Sequence, residues 1–256
     1  MVVMKVKVDS LNLRSKPEIK DGNIITALVL AQEVEILGGA PTDRFWEVQT
    51  VVSGSTLRGF VSAAFLRQPV SDKKEALISA AVKEWLRFKR GDKFEFDDPQ
   101  FKYVGEYWSN IGQTHTGLNR GQPWSAAFIS FVAQTAGYSN FKFAAAHSTY
   151  VYDAVDKRGT GDTTAPFWSF DVNEHKPQLG DLVCRGRDGV SITSMSSLPT
   201  GGFKSHCDIV VDIKDTEVRT LGGNVNQSVS MTSYPLNSAG FLRNVGGVYG
   251  VLKNNF

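Results

Sequence analysis

The hydrophobic pattern changes period at Gln68-Pro69, and that break confines the chain to two kinds of structure in tandem. Before it, apolar residues alternate with polar ones. Val2, Met4, Val6 and Val8 flank Lys5 and Lys7, and further β-rich runs cover residues 24–30, 34–37, 45–52 and 57–61. Asp21-Gly22, Gly38-Gly39 and Ser53-Gly54 supply turn chemistry between them. Some five short strands in fewer than about 70 residues bury a core only by closing into a small barrel. After the break, Leu77, Ala81 and Trp85 interleave with Ile78, Val82 and Leu86 at helical spacing. This predicts a helix from Ser71, an N-cap residue, to about Lys89, stopped by Gly91. A second helix is expected from Pro123 to Ala136, before Gly137. From Leu179 onward the signals are β, at residues 182–184, 207–213, 217–221, 225–231 and 245–252. Helices followed by an antiparallel sheet are the α+β class.

Composition narrows the functions open to such a chain. A formal charge of +2 and the lack of a Lys/Arg stripe supply no phosphate track, so nucleic acid is not an expected partner. The longest apolar runs fall short of a membrane span. The first residues read as a strand, with none of the features of a secretory signal. Two cysteines make no disulfide framework. Cys184 and Cys207 are expected to be buried small residues, with a cross-strand disulfide as the alternative, and no ligand spacing suggests a metal site. No cofactor is called for.

Two resemblances add specificity. Leu11-Asn12-Leu13-Arg14-Ser15-Lys16-Pro17, Phe45-Trp46-Glu47-Val48 and Arg58-Gly59-Phe60-Val61-Ser62 with Phe65-Leu66 resemble the opening, middle and closing strands of bacterial SH3-like domains. The resemblance implies an all-β SH3-like barrel over residues 1–68 that targets the cell wall. Further on, Pro123-Trp124-Ser125-Ala126-Ala127-Phe128-Ile129 resembles the Pro-Trp-Cys-Ala-Ala-Phe-Val helix start of papain-fold wall hydrolases of the NlpC and CHAP type. Leu179-Gly180-Asp181-Leu182-Val183, His206-Cys207-Asp208-Ile209-Val210 and Leu221-Gly222-Gly223-Asn224 follow in that family's order. Residues 69–256 are thus expected to form a papain-like domain of an uncharacterised branch, with serine where the family has its catalytic cysteine.

Carried over position by position, the resemblance implies Ser125 as nucleophile, His206 as base and Asn224 as the residue orienting it. A thiol ionises readily at a helix N-terminus, whereas a serine must lose its proton during attack. Ser125 is therefore a working nucleophile, an inactivating replacement or a plain capping serine. The plain alternatives are a surface position for His206 and a turn-holding role for Asn224. The expected function is peptidoglycan hydrolysis at an amide bond, as amidase or endopeptidase, in the cell wall, periplasm or extracellular space. An endolysin or a secreted effector would both fit, the latter with an immunity protein. Trp124, His147 and Tyr150 are candidate substrate contacts. Two alternatives stay open: a muramidase using Glu106 or Glu84 as its acid, each beside aromatic residues that would raise a carboxyl pKa, and a non-catalytic wall-binding protein.

Overall fold

The computed structural model describes residues 2–256. Packing divides the chain into two compact units, residues 1–75 and 76–256.

The first unit is a seven-stranded antiparallel sheet in the order β3-β2-β6-β5-β4-β1-β7. Its strands are β1 (Val2–Val6), β2 (Ser10–Arg14), β3 (Ile24–Val29), β4 (Glu33–Ile36), β5 (Phe45–Val52), β6 (Ser55–Ser62) and β7 (Leu66–Arg67). The period-two pattern directs Val6, Leu11, Leu13, Leu28, Val34, Val48, Val61 and Leu66 into one core. Ser53 and Gly54 join β5 to β6 with φ of 49° and 81°, the two positive values that a two-residue hairpin turn needs. Arg14 is buried, and its guanidinium donates to the Lys20 carbonyl at 2.7 Å and to Asn23 Oδ1 at 2.9 Å, which fastens the loop after β2.

In the second unit, four helices accompany a six-stranded antiparallel sheet. The helices are α1 (Asp72–Arg87), α2 (Gln100–Ser109), α3 (Ser125–Thr135) and α4 (His147–Thr160). The strands are β8 (Phe167–Asp171), β9 (Leu182–Gly186), β10 (Ser205–Ile213), β11 (Glu217–Val225), β12 (Ser228–Pro235) and β13 (Val248–Asn254), in the order β12-β11-β10-β9-β13-β8. α1 starts as expected, with the Lys74 amide 3.4 Å from the Ser71 hydroxyl. α3 begins two residues later than Pro123. Helices α2 and α4 and strand β8 have no counterpart among the expected elements. β-branched Thr149 and Val151 and the aromatic residues of α2 weaken the local helix signal, and burial of one face decides instead.

Three features position the site. α3 is buried almost all round and packs against β10 and β11. Asp181, completely buried, ties the start of β9 to the end of β13. Its carboxylate accepts from the Asn254 amide at 2.9 Å and from the Gln178 amide and His175 Nε2 at 2.8 Å. Gly222 and Gly223 let β11 approach its neighbours. A methyl group on Gly222 would lie 1.7 Å from Asp208 Oδ1, and one on Gly223 would lie 2.5 Å from the Phe128 side chain. Gly223→Ala is therefore expected to destabilise the domain by about 1–3 kcal/mol through overpacking against α3. A urea unfolding midpoint equal to that of the parent would contradict this close packing.

Candidate active site

Ser125 is the first residue of α3, where the leading N–H groups have no partner within the helix and the dipole is positive. Its Oγ lies 2.6 Å from His147 Nε2. His147 is itself the first residue of α4, so two helix starts meet at this contact. One turn along α4, the Tyr150 hydroxyl hydrogen-bonds the other ring nitrogen, His147 Nδ1. Burial pushes the His147 pKa well below its ordinary value of 6.5, and the neighbouring His206, Arg187 and Arg185 push it the same way. The imidazole is thus neutral at neutral pH and has a lone pair to offer. Burial, and next the nearby Cys207, raise Tyr150 well above an ordinary phenol, so it keeps its proton.

A second buried constellation lies alongside. The ring centroids of His147 and His206 are 5.3 Å apart. His206 Nε2 is 2.6 Å from Asp208 Oδ1, and Tyr234 donates to Asp208 Oδ2 at 2.6 Å. Asp208 is completely buried, which alone would raise its pKa. His206 and the Tyr234 hydroxyl outweigh that and hold it below the ordinary aspartate value. Ionised Asp208 therefore takes a proton donor on each oxygen, and His206 must carry its proton on Nε2.

Ser125 and His147 line an open cleft of about 570 Å³, together with Trp108, Gln122, Arg187 and Lys204. A neighbouring hollow of about 350 Å³ shares Gln122, Pro123 and Arg187 with it, and adds Glu95, Asn224 and Gln227.

The expected residues are distributed differently from the expected roles. The hydrogen bond of Ser125 runs to His147, read from sequence as a substrate contact, and not to His206. Tyr150, also expected to touch substrate, is buried and holds His147. His206 is oriented by Asp208 and not by Asn224. Asn224 occupies a left-handed conformation (φ 56°) at an irregularity in the β11–β12 pairing and faces the second hollow. Strand alternation explains Asp208: two residues on from His206, it lies on the same face. Trp124 belongs to the core, among Phe88, Tyr107 and Phe128, and donates its indole N–H to Glu95.

The two candidate glycosidase acids share one partner. Arg87 makes a two-pronged pair with Glu106 at 2.7 and 2.8 Å and reaches Glu84 at 3.0 Å, while the Tyr107 hydroxyl donates to Glu84 at 2.6 Å. The aromatic neighbours that suggest an apolar pocket thus accompany a guanidinium that hydrogen-bonds both carboxylates. Neither glutamate lines the Ser125 cleft.

Residues 97–250 match a family described as uncharacterized protein conserved in bacteria (DUF2272), and the match covers more than half of the chain. The chain belongs to this family. Ser125, His147, Tyr150, His206, Asp208 and Tyr234 all fall inside the DUF2272 span, and Glu84 falls outside it. No curated protein matches the chain. Among solved structures, NlpC2 from Trichomonas vaginalis superposes with a TM-score of 0.34 and 11% identity, over 99% of this chain and 72% of that one. NlpC1 from the same organism gives a TM-score of 0.31 and 10% identity, over 94% and 68%. Among the described residues, no helix of this DUF2272 protein is long and apolar enough to cross a membrane.

Proposed function

We propose that the chain is a peptidoglycan hydrolase that cleaves an amide bond, with Ser125 as nucleophile and His147 as general base. The observation that carries this reading is the 2.6 Å contact between Ser125 Oγ and His147 Nε2 at a helix start, on the wall of an open cleft. In the productive arrangement His147 donates Nδ1–H to the Tyr150 oxygen, which leaves the Nε2 lone pair for the serine proton. As the Oγ–carbon bond forms, that proton passes to Nε2. The same proton then leaves with the amine, and water releases the acyl group by the reverse sequence. The leading N–H groups of α3 are placed to stabilise the oxyanion. His206, tied to Asp208, lies against His147 and helps keep it neutral. Lys204 and Arg187 on the cleft wall suit a substrate that carries carboxylates, as wall stem peptides do.

In this reading the SH3-like motifs of residues 1–68 make the first unit the wall-targeting module, and the protein works in the cell wall, periplasm or extracellular space. If it is secreted against a competitor, an immunity protein would accompany it. Mass analysis of digested sacculi tests the bond. Wild type is expected to release fragments with new amino termini, and Glu106→Gln is expected to do so at a rate within about twofold of wild type, since Glu106 is an exposed partner of Arg87 away from the cleft. New reducing ends that vanish in Glu106→Gln would establish the muramidase instead.

A further inference from the structure

Cys184 and Cys207 take no part in the proposed hydrolysis, yet they stand where they would control the cleft. Each is completely buried. They are directly opposite one another in the antiparallel β9–β10 pair, with both thiols free and the sulfur atoms 2.8 Å apart. Directly opposed residues in antiparallel strands have Cα atoms about 4.5–5.5 Å apart, within the span of about 4.4–6.8 Å that a disulfide tolerates. The register thus meets the Cα spacing that a cross-link requires, and the 2.8 Å between the sulfur atoms shows that the side chains point at one another.

The location gives that cross-link a consequence. β9 ends at Gly186 and β10 begins at Ser205, so the two cysteines bracket the loop 187–204 just inside its base. Arg187, Asp188, Phe203 and Lys204 of that loop form one wall of the Ser125 cleft, and Arg187 also lines the adjoining hollow. Cys207 lies between His206 and Asp208 in sequence and interacts with Tyr150, the partner of His147.

We propose that Cys184 and Cys207 are an oxidisable pair whose disulfide pins the base of loop 187–204 and so fixes the wall of the cleft. The functional importance of that wall rests on the Ser125 cleft being the active site, while the cross-link itself does not. Oxidised glutathione suffices as oxidant. One cysteine thiolate attacks it to give a mixed disulfide and one glutathione thiol. The second cysteine then displaces the other glutathione, so two S–H bonds break, one S–S bond forms between the strands, and the glutathione disulfide is reduced to two thiols.

The experiment uses the full chain, unfolded and reduced in urea and refolded by dilution into a mixture of oxidised and reduced glutathione. This exposes both thiols to the oxidant before the strands close over them. Alkylation under denaturing conditions and peptide mass analysis are expected to find the Cys184 peptide joined to the Cys207 peptide. Hydrogen exchange on the folded protein is expected to be at least about threefold slower across residues 182–209 in the oxidised form than after reduction. In Cys207→Ser, where Cys184 can take up no more than one glutathione, the same redox treatment should give no cross-linked peptides and no slowing of exchange across residues 182–209. Recovery of two free thiols, or of glutathione on each cysteine, would overturn the cross-link. A disulfide that leaves exchange in loop 187–204 unchanged would overturn its control of the wall. Neither readout depends on hydrolysis, so a failed sacculus digest would reject the proposed activity without touching this one.

Discussion

Ser125→Ala is expected to lower turnover by about 10⁴-fold or more while leaving the fold intact, which purified sacculi and a urea melt would measure together. Alanine suits the first position of a helix, and the adjoining cap residue, Trp124, makes no side-chain capping bond that the change would disturb. His147→Ala should cost about as much, and the double variant no more than either single one, because a nucleophile and its base act as one unit. Ser125→Cys should keep or gain activity, since a helix N-terminus beside an imidazole favours a thiolate. The rate should also hold steady as pH falls through the ordinary histidine range. Burial keeps His147 unprotonated there, and activity should fail only in more acidic solution, where Nε2 is occupied. His206→Ala is expected to cost less in rate than His147→Ala. A tolerated His147→Ala with a dead His206→Ala would make the strand histidine the base, and full activity in Ser125→Ala would end the mechanism altogether.

The sequence marks the helix start and the strand that frame the candidate site, and what it conceals has physical causes. Ser125 stood out because Pro123 and Trp124 mark a helix start, and α3 does begin there. His206 stood out because it opens a strand. What the linear chain concealed was the pairing between them. His147 lies 22 residues from Ser125, at the start of a helix whose Ser148, Thr149 and Val151 give little helical signal, so nothing local announced it as a partner. Asp208 was accessible by a simpler route, since alternation along a strand sets residues two apart on one face. The resemblance of Leu221-Gly222-Gly223-Asn224 points instead to Asn224 as the orienting residue. The glycines of that segment serve close approach: Gly222 leaves room for the Asp208 carboxylate, and Gly223 for Phe128. The segment thus contributes to the site through the side chains it lacks. For Glu84 and Glu106 the sequence displays the aromatic neighbours and hides the shared cation. Arg87 is one helical turn from Glu84, but its reach to Glu106 on α2 is a tertiary fact about a helix that the local pattern did not announce.

Asp208→Ala is expected to destabilise the domain by about 2–5 kcal/mol, the cost of leaving two buried donors without their acceptor. The change leaves His206 Nε2–H and the Tyr234 hydroxyl without an acceptor in a fully buried setting. Asp208→Asn should cost less. Its carbonyl oxygen still accepts from His206, and its amide can donate to the Tyr234 oxygen, so chiefly the charge is lost. The pH dependence separates these effects. The folded-state pKa of Asp208 lies below its ordinary value of 3.8, so the unfolded chain binds the proton first as pH falls. The charge therefore contributes stability above pH 3.8, and that contribution is lost as pH drops further through the folded-state value. His147 also weakens the fold in acid, because its depressed pKa means that the unfolded chain gains its proton earlier. Comparing wild type with Asp208→Asn cancels that shared term, because His147 is present in both proteins. The difference between their unfolding midpoints should stay constant from neutrality down to about pH 4 and shrink below it. A difference that stays constant down to about pH 2 would show that the charge of the Asp208 carboxylate contributes nothing to the fold.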